Sequence, residues 1–422
     1  MSVQSDSEHP SLGLLRKFVS RAQAASDGRP MILYFLRQPE RIGQLVSEML
    51  LLKGVYPPTD YQLFVAHPQH SPRSRHFSQD AYNIAMRDVT PLEARDALED
   101  QVCYIDFRAP IPMATGGQPL TLILSSDTYL IREWTRKFPE TGTPYPPLWL
   151  TDVEKQRGAR LRRLFGFAPD QPVVVLHVRE QGLLRLGYEV HRNADIANYE
   201  SAIRLLTARG YAVVRIGDPL CKPLPFACDG VIDTPFLSSY DRIGDPYFAS
   251  GCAFLVHNYS GPSMLATAFN RPTLAVNVVP QDQTTLTNEV VSYKACLSLR
   301  DRVPLGLGGI VRAGLMNATA EHYAAAGYET EENDADLICD AVAEMIERVE
   351  GRFAPSPALV EANAKLTAFG EQRHRANGED PAHLLGYSLV GRFGRHSLSE
   401  AFLARYPGFM DEIGDDGSVA SP

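Results

Sequence analysis

The stretch QPVVVLHVRE, Gln171 to Glu180, holds four aliphatic residues in a row, Val173 to Leu176, before its chemistry begins at His177. A strand with one wet face alternates apolar and polar residues. An unbroken aliphatic run marks a strand buried on both faces, as in a parallel sheet covered by helices. Its surroundings fit that reading. KQRGARLRRLFGF (155–167) before it is a basic helix, and a long polar loop (181–196) and a helix (197–209) follow. YAVVRIGD (211–218), GVIDT (230–234), CAFLVHN (252–258) and PTLAVN (272–277) read as further strands. DPYFASGC opens a helix with Asp245 as its expected N-cap before Pro246, and GPSMLATAFN is another helix. Helical patterns return over 334–350 and 356–375, and DEIGDDGSVASP (411–422) reads as a flexible acidic tail.

The first part of the chain has the same texture. Leu14 to Ala25 is an amphipathic helix, Asp27 to Pro30 a turn, and MILYFL (31–36) a short buried strand. Ile42, Leu45, Val46, Met49 and Leu52 recur at helical spacing from Ile42 to Lys53. YQLFVAHP (61–68), VCYIDFR (102–108) and LTLILSS (120–126) are read as strands. Strand–helix alternation predicts parallel α/β architecture. Pro, Gly and Thr crowd FPETGTPYPPLWLT (138–151), which places a domain boundary near 150. The expectation is an N-terminal domain over 1–150, a second over 151–350, and C-terminal helices over 351–422 packing back on the first. Two α/β domains in tandem create a cleft, with ligand residues directly after the strands.

The chain has 422 residues, 44% hydrophobic and 22% charged, with 41 Lys and Arg against 50 Asp and Glu and a net charge of −9. This excludes wholesale disorder and disfavours wrapping a nucleic-acid backbone. The six cysteines (103, 221, 228, 252, 296, 339) form no CxxC pair, which suggests free thiols in a reducing compartment. No apolar run approaches the roughly 20 residues that span a bilayer. The expectation is a cytoplasmic protein without a signal peptide.

Four clusters carry candidate chemistry. Tyr259-Ser260-Gly261-Pro262-Ser263 lies between a strand and a helix, where backbone N–H groups and hydroxyls suit a phosphate; the alternative is a tight turn with a serine cap. His177 and Arg179 share one side of their strand, Arg179 fitted to a diphosphate and His177 to a donor contact or a base. The alternative is an Arg–carboxylate pair and a core histidine. Arg215, Gly217 and Asp218 close the next strand, offering a second cation, a sharp turn and a hydroxyl acceptor, or simply a turn with a local Arg–Asp pair. Arg192, Asn193 and Asp195, in HRNADIANY, form a hydroxyl- and phosphate-binding set, although Asp195 would equally serve as an N-cap. Arg41-Ile42-Gly43 occupies the corresponding strand–helix junction of the first domain. No P-loop, HExxH or GxSxG motif is present. Asp334-Ala335-Asp336 reads as acidic residues at a helix start rather than a metal site.

HVRE, RNADIANY, VVRIGD, and the SGP turn followed by a helix and PTLAVN together resemble a family of bacterial glycosyltransferases distantly similar to GDP-fucose-dependent fucosyltransferases. The resemblance is best over about 165–280. RQPERIGQLVSEMLLL resembles the family's N-terminal strand–helix, and HSLSEAFLARYPGF its closing segment. The resemblance implies a GT-B architecture, two Rossmann-like domains facing across a cleft, with the first on the acceptor side and the second binding the nucleotide sugar. It implies metal-independent sugar transfer, a GDP-sugar being favoured, with no other cofactor. Arg179 would hold the diphosphate, His177 would lie beside it, and Ser260 and Gly261 would complete the cradle. Glu180 stands where those fucosyltransferases usually carry a second basic residue, which weakens the link to GDP-fucose and makes Glu180 a conceivable base. His257 would face the same site. The acceptor would be a polysaccharide precursor, a protein or a specialised metabolite. Competing readings are a nucleotide-sugar epimerase or hydrolase and a non-catalytic nucleotide-sugar-binding protein.

Overall fold

The computed structural model describes residues 10–69, 78–105, 110–113, 121–125, 127–137, 147–180, 187–281, 288–378 and 396–420. The chain divides into two units, Met1–Leu148 and Trp149–Pro422.

In the first unit the aliphatic runs become β1 (Met31–Phe35), β2 (Gln62–His67), β3 (Thr90–Glu93), β4 (Ile111–Met113) and β5 (Thr121–Leu124). Their order is β3-β2-β1-β5-β4, parallel except for the β4–β5 pair. The helices are α1 (Pro10–Ala24), α2 (Ile42–Val55), α3 (Gln79–Ala85), α4 (Ala97–Cys103) and α5 (Asp127–Lys137). Leu15, Phe18 and Val19 of α1 pack on Leu33, Phe35 and Phe64 of the sheet. The strand expected from Val102 gives way to α4. Asp96 accepts hydrogen bonds from the N–H groups of Leu98 and Glu99, and this cap starts a helix that buries Val102 and Cys103. Residues 106–109 of that expected strand lie outside the described residues.

The second unit contains β6 (Val173–His177), β7 (Ala212–Arg215), β8 (Val231–Asp233), β9 (Phe254–His257), β10 (Thr273–Val278), β11 (Glu289–Tyr293) and β14 (His396–Leu398) in one sheet. A separate antiparallel pair is β12 (Ala295–Ser298) and β13 (Tyr328–Glu331). The main sheet runs β14-β11-β10-β9-β6-β7-β8 and is parallel throughout. From β8 to β11 this is the 3-2-1-4-5-6 order of a dinucleotide-binding Rossmann sheet, extended by one strand. Around it lie α6 (Asp152–Leu164), α7 (Glu200–Ala208), α8 (Gly244–Gly251), α9 (Met264–Ala268), α10 (Leu307–Arg312), α11 (Ala320–Ala325), α12 (Ala335–Val349), α13 (Pro357–Gly378) and α14 (Glu400–Arg405).

Three expectations need correction here. Asp245 is not the cap of α8: Ile243 holds that position, and Asp245 accepts a hydrogen bond from Tyr240 at 2.8 Å. The C-terminal segment belongs to the second unit, because Leu359, Leu366, Phe369 and Phe402 share a core with Val291 and Tyr293. Nor are residues 411–420 of that tail loose: Ile413 is buried and bridges to Val419.

Candidate functional site

In a parallel sheet the crevice opens where neighbouring strands send their following loops to opposite sides. In the second unit that point lies between β6, which leads toward β7, and β9, on its other side. Their last residues, His177 and His257, are register partners. Asn258 ties the two strand ends together. Its Oδ1 accepts from the Arg179 N–H at 2.6 Å, and its Nδ2 donates to the carbonyls of Arg179 (3.1 Å) and Arg192 (3.3 Å). Arg192 Nη2 donates to the Tyr259 carbonyl at 2.9 Å, and Arg179 Nε to Asn193 Oδ1 at 3.4 Å. Arg179, Arg192, Asn193, Asn258 and Tyr259 therefore form one network at the switch point. The polar Asn258 at the end of FLVHN is the sequence signal for this tie.

Tyr259 opens the turn with φ +58°, a left-handed conformation that costs a non-glycine residue about 1–3 kcal/mol. Its N–H donates to His257 Nδ1 at 3.1 Å. Ser260 is extended and makes no side-chain cap bond, and Gly261–Ser263 form one 3-10 turn with Pro262 in it. The Ser263 hydroxyl donates to the Ser260 carbonyl at 2.8 Å, so its proton is engaged inside the turn, and Pro262 has no N–H to offer. The following α9 has only five residues, too few for a strong helix dipole. What the turn offers an anion is the backbone of Ser260 and Gly261 and the Ser260 hydroxyl.

His177 is buried, with Nδ1 3.1 Å from the Ile216 carbonyl. Burial presses its pKa down to about 4, so the ring is neutral at pH 7. The ring proton on Nδ1 then faces the carbonyl, and Nε2 is a lone-pair acceptor with no hydrogen-bond partner. A neutral ring in this tautomer does not serve as a cationic phosphate donor. Gly217 keeps to ordinary backbone; a Cβ there would meet Pro235 at 3.5 Å and His177 Nδ1 at 3.9 Å, both normal contacts. Asp218 caps its own loop through the Leu220 N–H at 2.8 Å.

Arg215 is 1% exposed. Its Nη2 meets Glu180 Oε2 at 2.7 Å, and its Nη1 meets Asp233 Oδ2 at 3.2 Å and the Lys222 carbonyl at 2.7 Å. The expected ligand-facing Arg215 is thus an internal cation, and Glu180 is its counterion rather than a free base. Burial pushes the Glu180 carboxyl up against the pull of Arg215, and its Oε1 is buried without a hydrogen-bond partner. Asp195 caps the turn Ile196–Tyr199 through the Ala197 N–H and lies 3.7 Å from Lys222 Nζ. His257 faces Glu289 rather than the crevice, its Nε2 being 3.2 Å from Oε1 but off-line for a formed hydrogen bond.

Sequence reasoning also missed Lys294. It directly follows β11, is buried, and donates to the Asn193 carbonyl at 2.6 Å. Burial pushes its ammonium pKa down to about 8. In the first unit, the corresponding switch point lies between β1 and β5. There Arg37 Nη2 reaches the Ser125 carbonyl at 3.5 Å. Arg41 is the N-cap residue of α2 without a side-chain bond, and Gly43 lies in that helix's first turn. Among the described residues no cluster of three or more His, Cys, Asp or Glu is arranged to hold a metal, and no helix is long and apolar enough to cross a membrane.

No known family model matches the chain, and no curated protein matches it. Solved structures similar to it include ADP-heptose LPS heptosyltransferase II of E. coli, at 12% identity over 62% of this chain and 89% of that one, with a TM-score of 0.38. A glycosyl transferase family 9 protein of Veillonella parvula gives 10%, 63%, 86% and 0.38. E. coli heptosyltransferase WaaC with ADP gives 10%, 63%, 91% and 0.29. At such TM-scores the likeness extends to no individual residue.

Proposed function

We propose that this chain is a glycosyltransferase that moves a sugar from a nucleoside-diphosphate donor to an acceptor hydroxyl or amine. One observation carries the reading: Arg179, Arg192, Asn193 and the Tyr259–Gly261 turn are joined through Asn258 at the switch point of a 3-2-1-4-5-6 sheet. That position in a parallel sheet takes nucleotides, and that residue set suits a diphosphate.

In this reading the donor diphosphate lies between Arg179 and the Ser260–Gly261 backbone. When the glycosidic bond to the nucleotide breaks, negative charge gathers on the departing phosphate. Donors already fixed there stabilise that charge more in the transition state than in the ground state. His177, held neutral by burial, offers its Nε2 lone pair to a hydroxyl hydrogen bond rather than acting as a base. Arg215, Glu180 and Asp233 hold the floor of the site and touch no substrate. In this reading Arg179 and the Ser260–Gly261 backbone, rather than a divalent metal, neutralise the departing phosphate.

Thermal unfolding with GDP, UDP, ADP, dTDP and CMP, each with and without EDTA, tests this. A ligand at a hundred times its Kd stabilises by about 2.7 kcal/mol. A rise in Tm with one diphosphate that survives EDTA is the expected result and names the donor class. Absence of any shift overturns the reading. Release of free sugar from the donor without an acceptor would instead identify a hydrolase on this site.

A further inference from the structure

Glu289, the first residue of β11, is buried between Thr273 of β10 and His396 of β14, its register partners. A buried carboxylate is costly unless donors surround it. Glu289 accepts hydrogen bonds from Thr273 Oγ1 at 3.1 Å and Tyr259 OH at 3.3 Å, and two histidine nitrogens lie close, His257 Nε2 at 3.2 Å and His396 Nδ1 at 3.6 Å. Burial alone would raise its pKa, yet His257 and His396 hold it well below the usual carboxylate range.

Two of those contacts lead to one residue. Because the Tyr259 N–H donates to His257 Nδ1, that nitrogen carries the lone pair and the ring N–H lies on Nε2, toward Glu289. Tyr259 is thus held at its amide by His257, whose ring lies against Glu289, and at its hydroxyl by Glu289 itself. A third hold is Arg192 on its carbonyl. The residue so fixed is the one whose left-handed backbone sets the direction of Ser260 and Gly261. An aromatic residue does not keep that conformation unaided.

We infer that Glu289 is a positioning residue for the anion-binding turn: through its hydrogen bond with the Tyr259 hydroxyl and its contact with the His257 ring, it holds the Ser260–Gly261 backbone in place for the donor diphosphate without touching it. This rests on the nucleotide reading above.

The test compares calorimetric Kd values for a nucleoside diphosphate and for its parent nucleoside, using the diphosphate among GDP, UDP, ADP and dTDP that stabilises the wild-type chain. Glu289→Gln should weaken the diphosphate about tenfold, the worth of one hydrogen bond to a charged group. The nucleoside, which lacks the phosphates, should change less than about twofold on the same basis. A merely structural role would weaken both alike, and equal loss overturns the inference. Tyr259→Phe removes only the hydroxyl contact and covers the case where Glu289→Gln does not fold; it should weaken the diphosphate alone, by about threefold. Unchanged diphosphate affinity in both variants overturns the inference and leaves the nucleotide reading standing. Failure of the wild type to bind any of the four overturns that reading, and this inference with it.

Discussion

Arg215 Nη2 meets Glu180 Oε2 at 2.7 Å, and both side chains are almost sealed from water, at 1% and 3% exposure. The pair joins the end of β7 to the residue just beyond Arg179. Removing one member of a buried pair leaves the other charge without its partner, which costs about 3–5 kcal/mol. Arg215→Met should therefore lower stability in urea by several kcal/mol, while the nucleotide Kd of the folded fraction stays within about twofold. A large rise in Kd with unchanged stability would return Arg215 to the ligand site.

Arg179 should behave in the opposite way. Its side chain is half-buried and its backbone is held by Asn258 whatever the side chain. Arg179→Ala should weaken diphosphate binding by about 10–100-fold, the range for losing a charged hydrogen-bond donor. Its Tm without ligand should stay close to wild type. Isothermal titration and thermal unfolding on the same sample decide this.

The first unit holds a carboxyl with an inverted preference. Burial lifts Glu48 from 4.5 to about 8, with Asp127 adding to the rise and the Tyr34 hydroxyl, 2.7 Å from Oε2, opposing it. Between pH 4.5 and 8 the folded chain keeps a proton that the unfolded chain has released. This group's contribution to stability therefore falls as pH rises through that window. Glu48→Gln keeps an acceptor for Tyr34 and removes the titration. It should match wild type near pH 4.5 and exceed it in urea midpoint at pH 8. An equal difference at both pH values would show that Glu48 does not titrate in this range.

Gly158 in α6 tests packing against propensity. A Cβ there would fall 2.0 Å from Cγ of Tyr247 in α8, an atom too near the backbone to swing away. Alanine is the better helix former by about 1 kcal/mol. Gly158→Ala should nonetheless destabilise, by about 1–3 kcal/mol, because the two helices must separate. A stabilised variant would mean that α6 and α8 yield easily.

The strands readable from sequence were mostly those built on a short run of apolar residues. β6, β9 and most of β10 announce themselves as apolar runs, because both sheet faces are covered and polar residues enter only at their ends. β11 did not, since Glu289 and Ser292 are buried within it and its polarity is satisfied by partners far along the chain. VCYIDFR misled for the opposite reason: β-branched and aromatic residues follow an Asp96 cap that a local apolar pattern does not weigh. Among candidate site residues, position after a strand was legible, but direction was not. Arg215 and Arg179 look alike in sequence, both polar at a strand end. What separates them is Asp233, 18 positions later, and Glu180, 35 positions earlier. Only the folded sheet brings those carboxylates to one arginine and leaves the other at the crevice.

The seventh strand of the second sheet has a consequence for synthesis. His396 pairs with a strand whose last residue, Tyr293, precedes it by 103 positions. Until β14 leaves the ribosome, β11 is a bare sheet edge, open to pairing with another nascent chain. The second unit thus cannot close its sheet as it emerges; it must wait through α10 to α13.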